Sequence, residues 1–180
     1  MVEIKNFKNR KIEIREFSAK DLKRAKDFLD FINSLIKENA KIRANKKLTL
    51  KEEKQWLKNT FSEIKKKKKV VCVAESEGKI VGISDVRMES QRRSHVGEFG
   101  ITIRKEYRGI GLGKYLMGKV LNLAKKKLKP KIFRLSVFEN NKIAQNLYKK
   151  FGFKKVAKIP KQIQYKGKLI AEIVMMKETK

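Results

Sequence analysis

The chain has one cysteine, one histidine, one tryptophan and two prolines in 180 residues, and each scarcity removes a class of protein. A lone thiol, Cys72, cannot close an internal disulfide, so a disulfide-stapled scaffold is excluded. With a single histidine and a single cysteine no metal-ligand spacing exists, and no metal is expected. Long apolar runs are absent as well: neither a secretory h-region nor the stretch of about 20 apolar residues that a spanning helix needs is found. A soluble, cytoplasmic protein is the expectation. Acidic residues are also short, 19 Asp and Glu against 48 Lys and Arg, for a net charge of 48 − 19 = +29. Such a field attracts polyanions. The lysines are scattered, with local runs at Lys65–Lys69 and Lys125–Lys127, and aromatic residues are not interleaved with them as a single-strand-binding surface requires. The charge reads as a solvated, lysine-biased surface, with weak nucleic-acid or ribosome association as the alternative.

What is present suits one domain over residues 1–180, with residues 1–10 a loose N-terminal segment or an added edge. Lys11–Phe17 alternates as a first strand. Ser18 and Asp21 open a helix with Leu22, Ala25, Phe28, Leu29, Ile32, Leu35 and Ile36 on one stripe. A basic loop, Lys37–Leu48, leads to a second helix, where Thr49 and Glu52 form a capping box and Leu50, Leu57, Phe61 and Ile64 face inward. Trp56 lies off the centre of that stripe, either packed between helices or lining a pocket. Val70–Glu75 and Lys79–Arg87 read as a hairpin around Glu77-Gly78. Cys72, inside an apolar run, reads as a small buried hydrophobe rather than a nucleophile.

The organising stretch is His95–Lys114: a strand, His95–Ile103, interrupted by Gly97 and Gly100, then a glycine loop, then a helix with Leu112, Leu116, Val120, Leu123, Ala124 and Leu128 on one face. The strand glycines suggest a bulge or a close ligand approach. The loop glycines let backbone N–H groups converge on an anion, and the helix N-terminus adds its unpaired N–H groups and its dipole. Arg108 and Lys114 reinforce the same preference for a phosphate. A P-loop is excluded, because Arg108 stands where its first glycine belongs and Tyr115 replaces the hydroxyl that holds Mg²⁺. A dinucleotide fingerprint is excluded by the G-x-G-x-G spacing and the late position.

The surviving pattern, R-x-x-G-x-G at Arg108, Gly111 and Gly113, resembles the acetyl-CoA pyrophosphate loop of the GNAT superfamily of N-acetyltransferases. Asn141 to Phe153, of the form N-x-x-A-x-x-L-Y-x-x-x-G-F, resembles the second signature of that superfamily. The resemblance covers about Val70 to Lys177. It implies an α/β (α+β) fold with a mixed, mostly antiparallel sheet of six or seven strands and helices on both faces. It implies acetyl-CoA as cosubstrate, with the backbone of Ile101, Thr102 and Ile103 on the pantetheine arm. The loop Arg108, Gly109, Ile110, Gly111, Leu112, Gly113 and Lys114 would hold the pyrophosphate, and Asn141 and Tyr148 would touch the coenzyme. Tyr148 matches the general acid of the family.

Acetyl transfer to an amine needs a neutral amine, a partner for the oxyanion and a proton for the departing thiolate. Glu98 is placed to take the amine's proton, directly or through water; His95 is the other base, although its place at a strand start suits a solvated edge. A backbone N–H near Ile101 or Thr102 would meet the oxyanion. No activated nucleophile is visible, so direct transfer in a ternary complex is expected. By family analogy the Lys37–Leu48 loop and the Gln164–Gly167 turn flank the acceptor. Those stretches are basic, which disfavours polyamines and lysine-rich tails. An amine carrying a carboxylate, an acidic peptide N-terminus or a protein docked on RNA remain as acceptors. A coenzyme-binding module without catalysis is a further alternative, and a homodimer is compatible with the sequence.

Downstream, Pro130 stops the long helix, Ile132–Val137 reads as a strand parallel to its predecessor, Asn140 or Asn141 caps a helix ended by Gly152, and Val156–Ile163 with Leu169–Lys177 forms a closing hairpin. In that last helix Ile143, Leu147 and Phe151 share one face and Ala144 and Tyr148 the next.

Overall fold

Apolar alternation and helical periodicity divide the chain into eight strands and four helices in the computed structural model, which describes residues 2–179. In chain order these are β1 (Val2–Phe7), β2 (Arg10–Glu16), α1 (Ala25–Lys37), α2 (Leu50–Lys65), β3 (Lys69–Ser76), β4 (Lys79–Met88), β5 (Val96–Ile103), α3 (Leu112–Lys127), β6 (Ile132–Phe138), α4 (Lys142–Lys150), β7 (Lys154–Tyr165) and β8 (Lys168–Glu178). They fall into two compact units, Met1–Arg87 with Gly100–Leu128, and Met88–Phe99 with Lys129–Lys180. The strand order is β1-β2-β3-β4-β5 in the first and β5-β6-β8-β7 in the second, the two halves of β5 belonging one to each.

In the first unit β1 to β4 run antiparallel, each to the next. The strand beyond the expected six or seven is β1, in the stretch read as a loose segment or an added edge. All eight residues of β3 are buried, as a strand covered on both faces requires. Val71 and Val73 pack with Phe17, Phe28, Phe31, Leu35, Leu57, Ile80 and Ile83, under α1 and α2. The other face of β3 lies against α3, whose Leu112, Leu116, Met117, Val120 and Ala124 are fully buried. Cys72 is a free, buried thiol on β3, and burial pushes its pKa up to about 12, which makes it inert.

The helix expected from Ser18 is split. A 3-10 turn (Ala19–Lys23) comes first, with Ser18 and Asp21 forming its capping box, and α1 starts only at Ala25. Arg15 explains the break. Its guanidinium donates to both oxygens of the fully buried Asp21, at 2.8 and 2.7 Å, and to Glu75 of β3, while Arg24 donates to Glu75 at 2.7 Å. This network fixes the turn between β2 and α1 on the end of β3. For α2, Thr49 and Glu52 form the expected capping box. Trp56 packs on Phe28 with ring centroids 6.0 Å apart, so the packing reading of this residue holds.

In the second unit β5 and β6 pair in parallel through Val96↔Ile132, Gly97↔Phe133 and Glu98↔Arg134. β6, β8 and β7 continue antiparallel, with β7 at the edge. Phe99, Tyr148 and Phe153 form an aromatic cluster between β5 and α4. Asn141 caps α4 by accepting from the Ala144 N–H, and Gly152 at φ +83° follows its end. The apolar stripe expected along α4 is only partly used: Tyr148 is buried, whereas Ile143 is 87 % exposed.

Glu53, on the inner face of α2, is 4 % exposed, and burial pushes its pKa up to about 7 from 4.5. A carboxyl whose folded pKa lies above its unfolded value favours the folded state while protonated. Its contribution is therefore full below pH 4.5 and is lost as pH rises to about 7. Glu53→Gln is expected to flatten that loss and to raise stability above pH 7 by about 1–2 kcal/mol, allowing for solvent screening. Urea denaturation of both proteins at pH 5 and pH 8 measures the difference.

Candidate functional site

After β5 the chain enters a 3-10 turn (Lys105–Tyr107) and then the glycine loop. Gly109 (φ +74°) and Gly111 (φ +96°) take left-handed backbone angles that strain any residue with a Cβ. A Cβ built at Gly109 meets nothing within 4 Å, and one at Gly111 meets only Phe7 at 3.8 Å, so space above the loop is open. Gly111 is the N-cap of α3 and offers no side chain to the helix end. The first intrahelical bond runs from Tyr115 N–H to the Gly111 carbonyl, 3.2 Å. The N–H groups of Leu112, Gly113 and Lys114 thus head a 16-residue helix without a side-chain cap. Leu112, fully buried, anchors this turn through its side chain and presents only its backbone. An uncapped helix end behind two left-handed glycines suits a diphosphate, which supplies the missing acceptors and meets the positive helix pole.

Three arginines hold the loop in place. Arg10 donates to the Glu106 carbonyl at 2.6 Å and stacks over Tyr107, 4.5 Å from its ring centroid. Arg104 donates to the Ile80 carbonyl at 2.8 Å and pairs with Asp30 of α1 at 2.5 Å. Arg108 donates to the Ile103 carbonyl at 2.8 Å and its guanidinium meets Glu38, at the end of α1. Arg108 was expected to face an anion; in this structure it also ties the loop to α1. Lys114 is exposed at the helix start, and Ile110 is half-buried.

Ile101, Thr102 and Ile103 are half-buried on β5, immediately before the loop. The parallel ladder with β6 takes in Val96, Gly97 and Glu98, and β5 runs five residues beyond it. Gly100 has a local cause. A Cβ there would lie 2.9 Å from Oδ1 of Asp85 on β4, a distance real Cβ atoms do not show, and Ser84 Oγ donates to the Gly100 carbonyl at 3.0 Å. The tight fit at this glycine, where a bulge or a close ligand approach is expected, comes from Asp85, a residue that no sequence motif singles out.

In the second unit Tyr148 is 7 % exposed, edge-on to Phe99 with centroids 5.9 Å apart, and burial alone pushes its pKa up to about 12. It stays protonated through the neutral range, as a proton donor must. Asn141 accepts from Ala144 N–H at 3.4 Å, so its side-chain oxygen serves the helix cap. Glu98 faces Arg134 across the parallel ladder, Oε2 3.6 Å from Nη1, with its side chain 23 % exposed. Since Phe99 packs against Tyr148, strand alternation turns Glu98 to the opposite face. His95 is exposed in the turn before β5, where its carbonyl accepts from Lys131 N–H at 2.9 Å. That is the solvated edge its position suggested. Among the described residues no group of three or more His, Cys, Asp or Glu is placed to hold a metal.

Known proteins fit this geometry. Residues 32–153 match the model of the Acetyltransferase (GNAT) family. The L-amino acid N-acetyltransferase AaaT of Escherichia coli is 32 % identical over 88 residues, 48 % of this chain, and the matched part spans about half of that protein, 52 %. Among solved structures, an acetyltransferase of the GNAT family from Streptococcus pneumoniae superposes with a TM-score of 0.81 at 26 % identity, covering 93 % of this chain and 99 % of that one. The protein yncA of Salmonella typhimurium, solved with its cofactor acetyl-CoA, superposes with a TM-score of 0.78 at 16 % identity, covering 93 % of each chain. The family draws its acetyl group from acetyl-CoA. A family model that spans residues 32–153, two left-handed glycines before an uncapped helix and a buried tyrosine on α4 lead to one conclusion: the chain belongs to the Acetyltransferase (GNAT) family.

Proposed function

We propose that the chain is an N-acetyltransferase that moves an acetyl group from acetyl-CoA to a primary amine in a ternary complex, with residues 1–180 serving as one acetyltransferase domain. The observation that carries this reading is the uncapped N-terminus of α3 behind Gly109 and Gly111. The backbone N–H groups of that loop, from Arg108 through Lys114, receive the pyrophosphate, and the Lys114 ammonium adds charge from the exposed surface. The backbone of Ile101, Thr102 and Ile103 pairs with the pantetheine arm, and one of its N–H groups meets the oxyanion. Asn141 reaches the coenzyme through the turn it caps. The thioester supplies the acetyl group, and the chain's own side chains handle the protons. Tyr148, protonated through the neutral range, gives a proton to the departing thiolate. Glu98 takes the amine's proton, directly or through water, while Arg134 holds the carboxylate in place. The relation to an L-amino acid N-acetyltransferase supports a small amine as acceptor.

Calorimetric titration with acetyl-CoA tests the donor. Wild type is expected to bind, and Gly111→Trp to lose binding, because the indole fills the open space above the loop and forces the backbone out of its left-handed angle. No binding by the wild-type protein overturns the reading. Tyr148→Phe is expected to keep acetyl-CoA affinity while kcat falls about 10²–10⁴-fold, the usual worth of a positioned acid. Thiol release with an accepted amine measures it, and an unchanged kcat removes Tyr148 from the chemistry.

A further inference from the structure

Beside Gly100, in the first unit, lies a cluster of charged groups that the transfer chemistry above does not use. Lys69 opens β3 with its side chain 8 % exposed. Its ammonium sits 3.4 Å from Thr60 Oγ1, 3.5 Å from Asp85 Oδ2 and 4.0 Å from Glu63 Oε2, and 5.2 Å from the Trp56 ring centroid. Arg87, two residues after Asp85 on β4, places Nη1 3.9 Å from Glu63 Oε1 with its side chain 56 % exposed. Lys69 is thus a primary ammonium already held by carboxylates, a hydroxyl and an aromatic face, which shows what the surroundings accommodate.

Asp85 uses its two oxygens differently. Oδ2 faces Lys69, whereas Oδ1 lies against the position that the missing Cβ of Gly100 would fill, one residue before Ile101. Its side chain is 30 % exposed, so a ligand can reach it. Asp85 and Arg87 are same-face neighbours on β4, with Cα atoms about 6.7 Å apart from strand geometry. An acid and a base at that spacing match a small molecule that carries an ammonium and a carboxylate on one carbon. Burial raises the Asp85 pKa and Lys69 opposes the rise; the 3.5 Å pair with Lys69 is the contact that favours a charged carboxylate beside Gly100.

We infer that this cluster selects the acceptor and that its ligand is a free α-amino acid, the ammonium on Asp85 Oδ1 and the carboxylate on Arg87. The inference rests on the acetyl-transfer reading and deepens it. Lys69 faces Asp85 and orients it, while Thr60 and Trp56 hold the Lys69 ammonium; all three are positioning residues. A zwitterion is neutral overall, so the chain's net charge of +29 does not repel it, whereas a polyamine is repelled. A peptide N-terminus presents the ammonium without the adjacent carboxylate, which leaves Arg87 without its ligand.

The test is a thiol-release screen of the common L-amino acids, the amides of those accepted, and a short peptide with the same N-terminal residue. It is run on wild type, Asp85→Asn, Arg87→Gln and Gly100→Ala, with acetyl-CoA affinity measured by calorimetry for each. Wild type is expected to prefer the free acid over its amide by about tenfold or more in kcat/KM, an energy typical of one charge-assisted contact. Arg87→Gln should bring that ratio close to one by losing rate on the free acid alone. Asp85→Asn should raise KM for acids and amides alike, with acetyl-CoA affinity unchanged. Should Asp85→Asn fail to fold, Gly100→Ala gives the same readout, because its methyl group displaces the end of the Asp85 side chain without removing it. Equal use of acid, amide and peptide, an unchanged ratio in Arg87→Gln, or no amino acid accepted by a protein that binds acetyl-CoA overturns this inference alone. Failure of the wild-type protein to bind acetyl-CoA overturns the donor reading, and the acceptor assignment falls with it.

Discussion

A strand buried along its whole length cannot carry an unpartnered charge, and β3 carries two. Glu75 near its end and Lys69 at its start both sit in the interior, where an unpaired ion costs several kcal/mol, on the order of 3–5 when a partner is lost. The structure answers each with groups from other elements. Glu75 draws Arg15 from β2 and Arg24 from the start of α1, and with them the fully buried Asp21. Lys69 draws Thr60 and Glu63 from α2 and Asp85 from β4. The two helices above β3 are therefore clamped at opposite ends of one strand by charge, and along its middle by Val71 and Val73.

That clamp reaches the glycine loop through α1. Asp30 and Glu38 lie on this helix and at its end, and they meet Arg104 and Arg108 on either side of the Lys105–Tyr107 turn. The helix pair, the loop and the start of α3 are thereby linked by named ion pairs instead of by apolar packing alone. Acidic side chains are scarce in this chain, and many of those present stand at such joints. The excess of lysine is left to the surface.

Much of this could be read from residue order because it depends on short-range chemistry. The capping box at Thr49, the hairpin at Glu77-Gly78, the cap at Asn141 and the glycine loop each declare themselves within a few residues. The interruption before α1 did not, since Leu22 and Ala25 continue a helical pattern that Arg15, Asp21 and Glu75 override from three separate stretches. β1 was hard to recognise because an edge strand with exposed Val2 and Ile4 lacks a clear alternation between buried and polar positions. Ile143 misled in the opposite sense, an apolar residue at a helical spacing that finds nothing to cover it. Asp85 was invisible for a third reason. Its Oδ1 takes the place of a side chain at Gly100, lying 2.9 Å from where a Cβ would stand, fifteen residues away on the next strand, and pairwise register of that kind leaves only the glycine as its trace.

β7 gives the lysine excess a physical consequence at the level of assembly. It is a 12-residue strand at the end of the strand order, with Val156 and Ile159 exposed, the kind of free edge that another chain can extend by backbone pairing. Lys154, Lys155, Lys158 and Lys161 line it, Pro160 withholds a backbone donor, and two register shifts against β8 twist it out of line. An incoming copy would bring the same cations to within the distance over which salt fails to screen them, about 8 Å at physiological ionic strength. The positive edge thus sets a repulsion against pairing two such edges, and concentrated salt, by shortening that distance, weakens it.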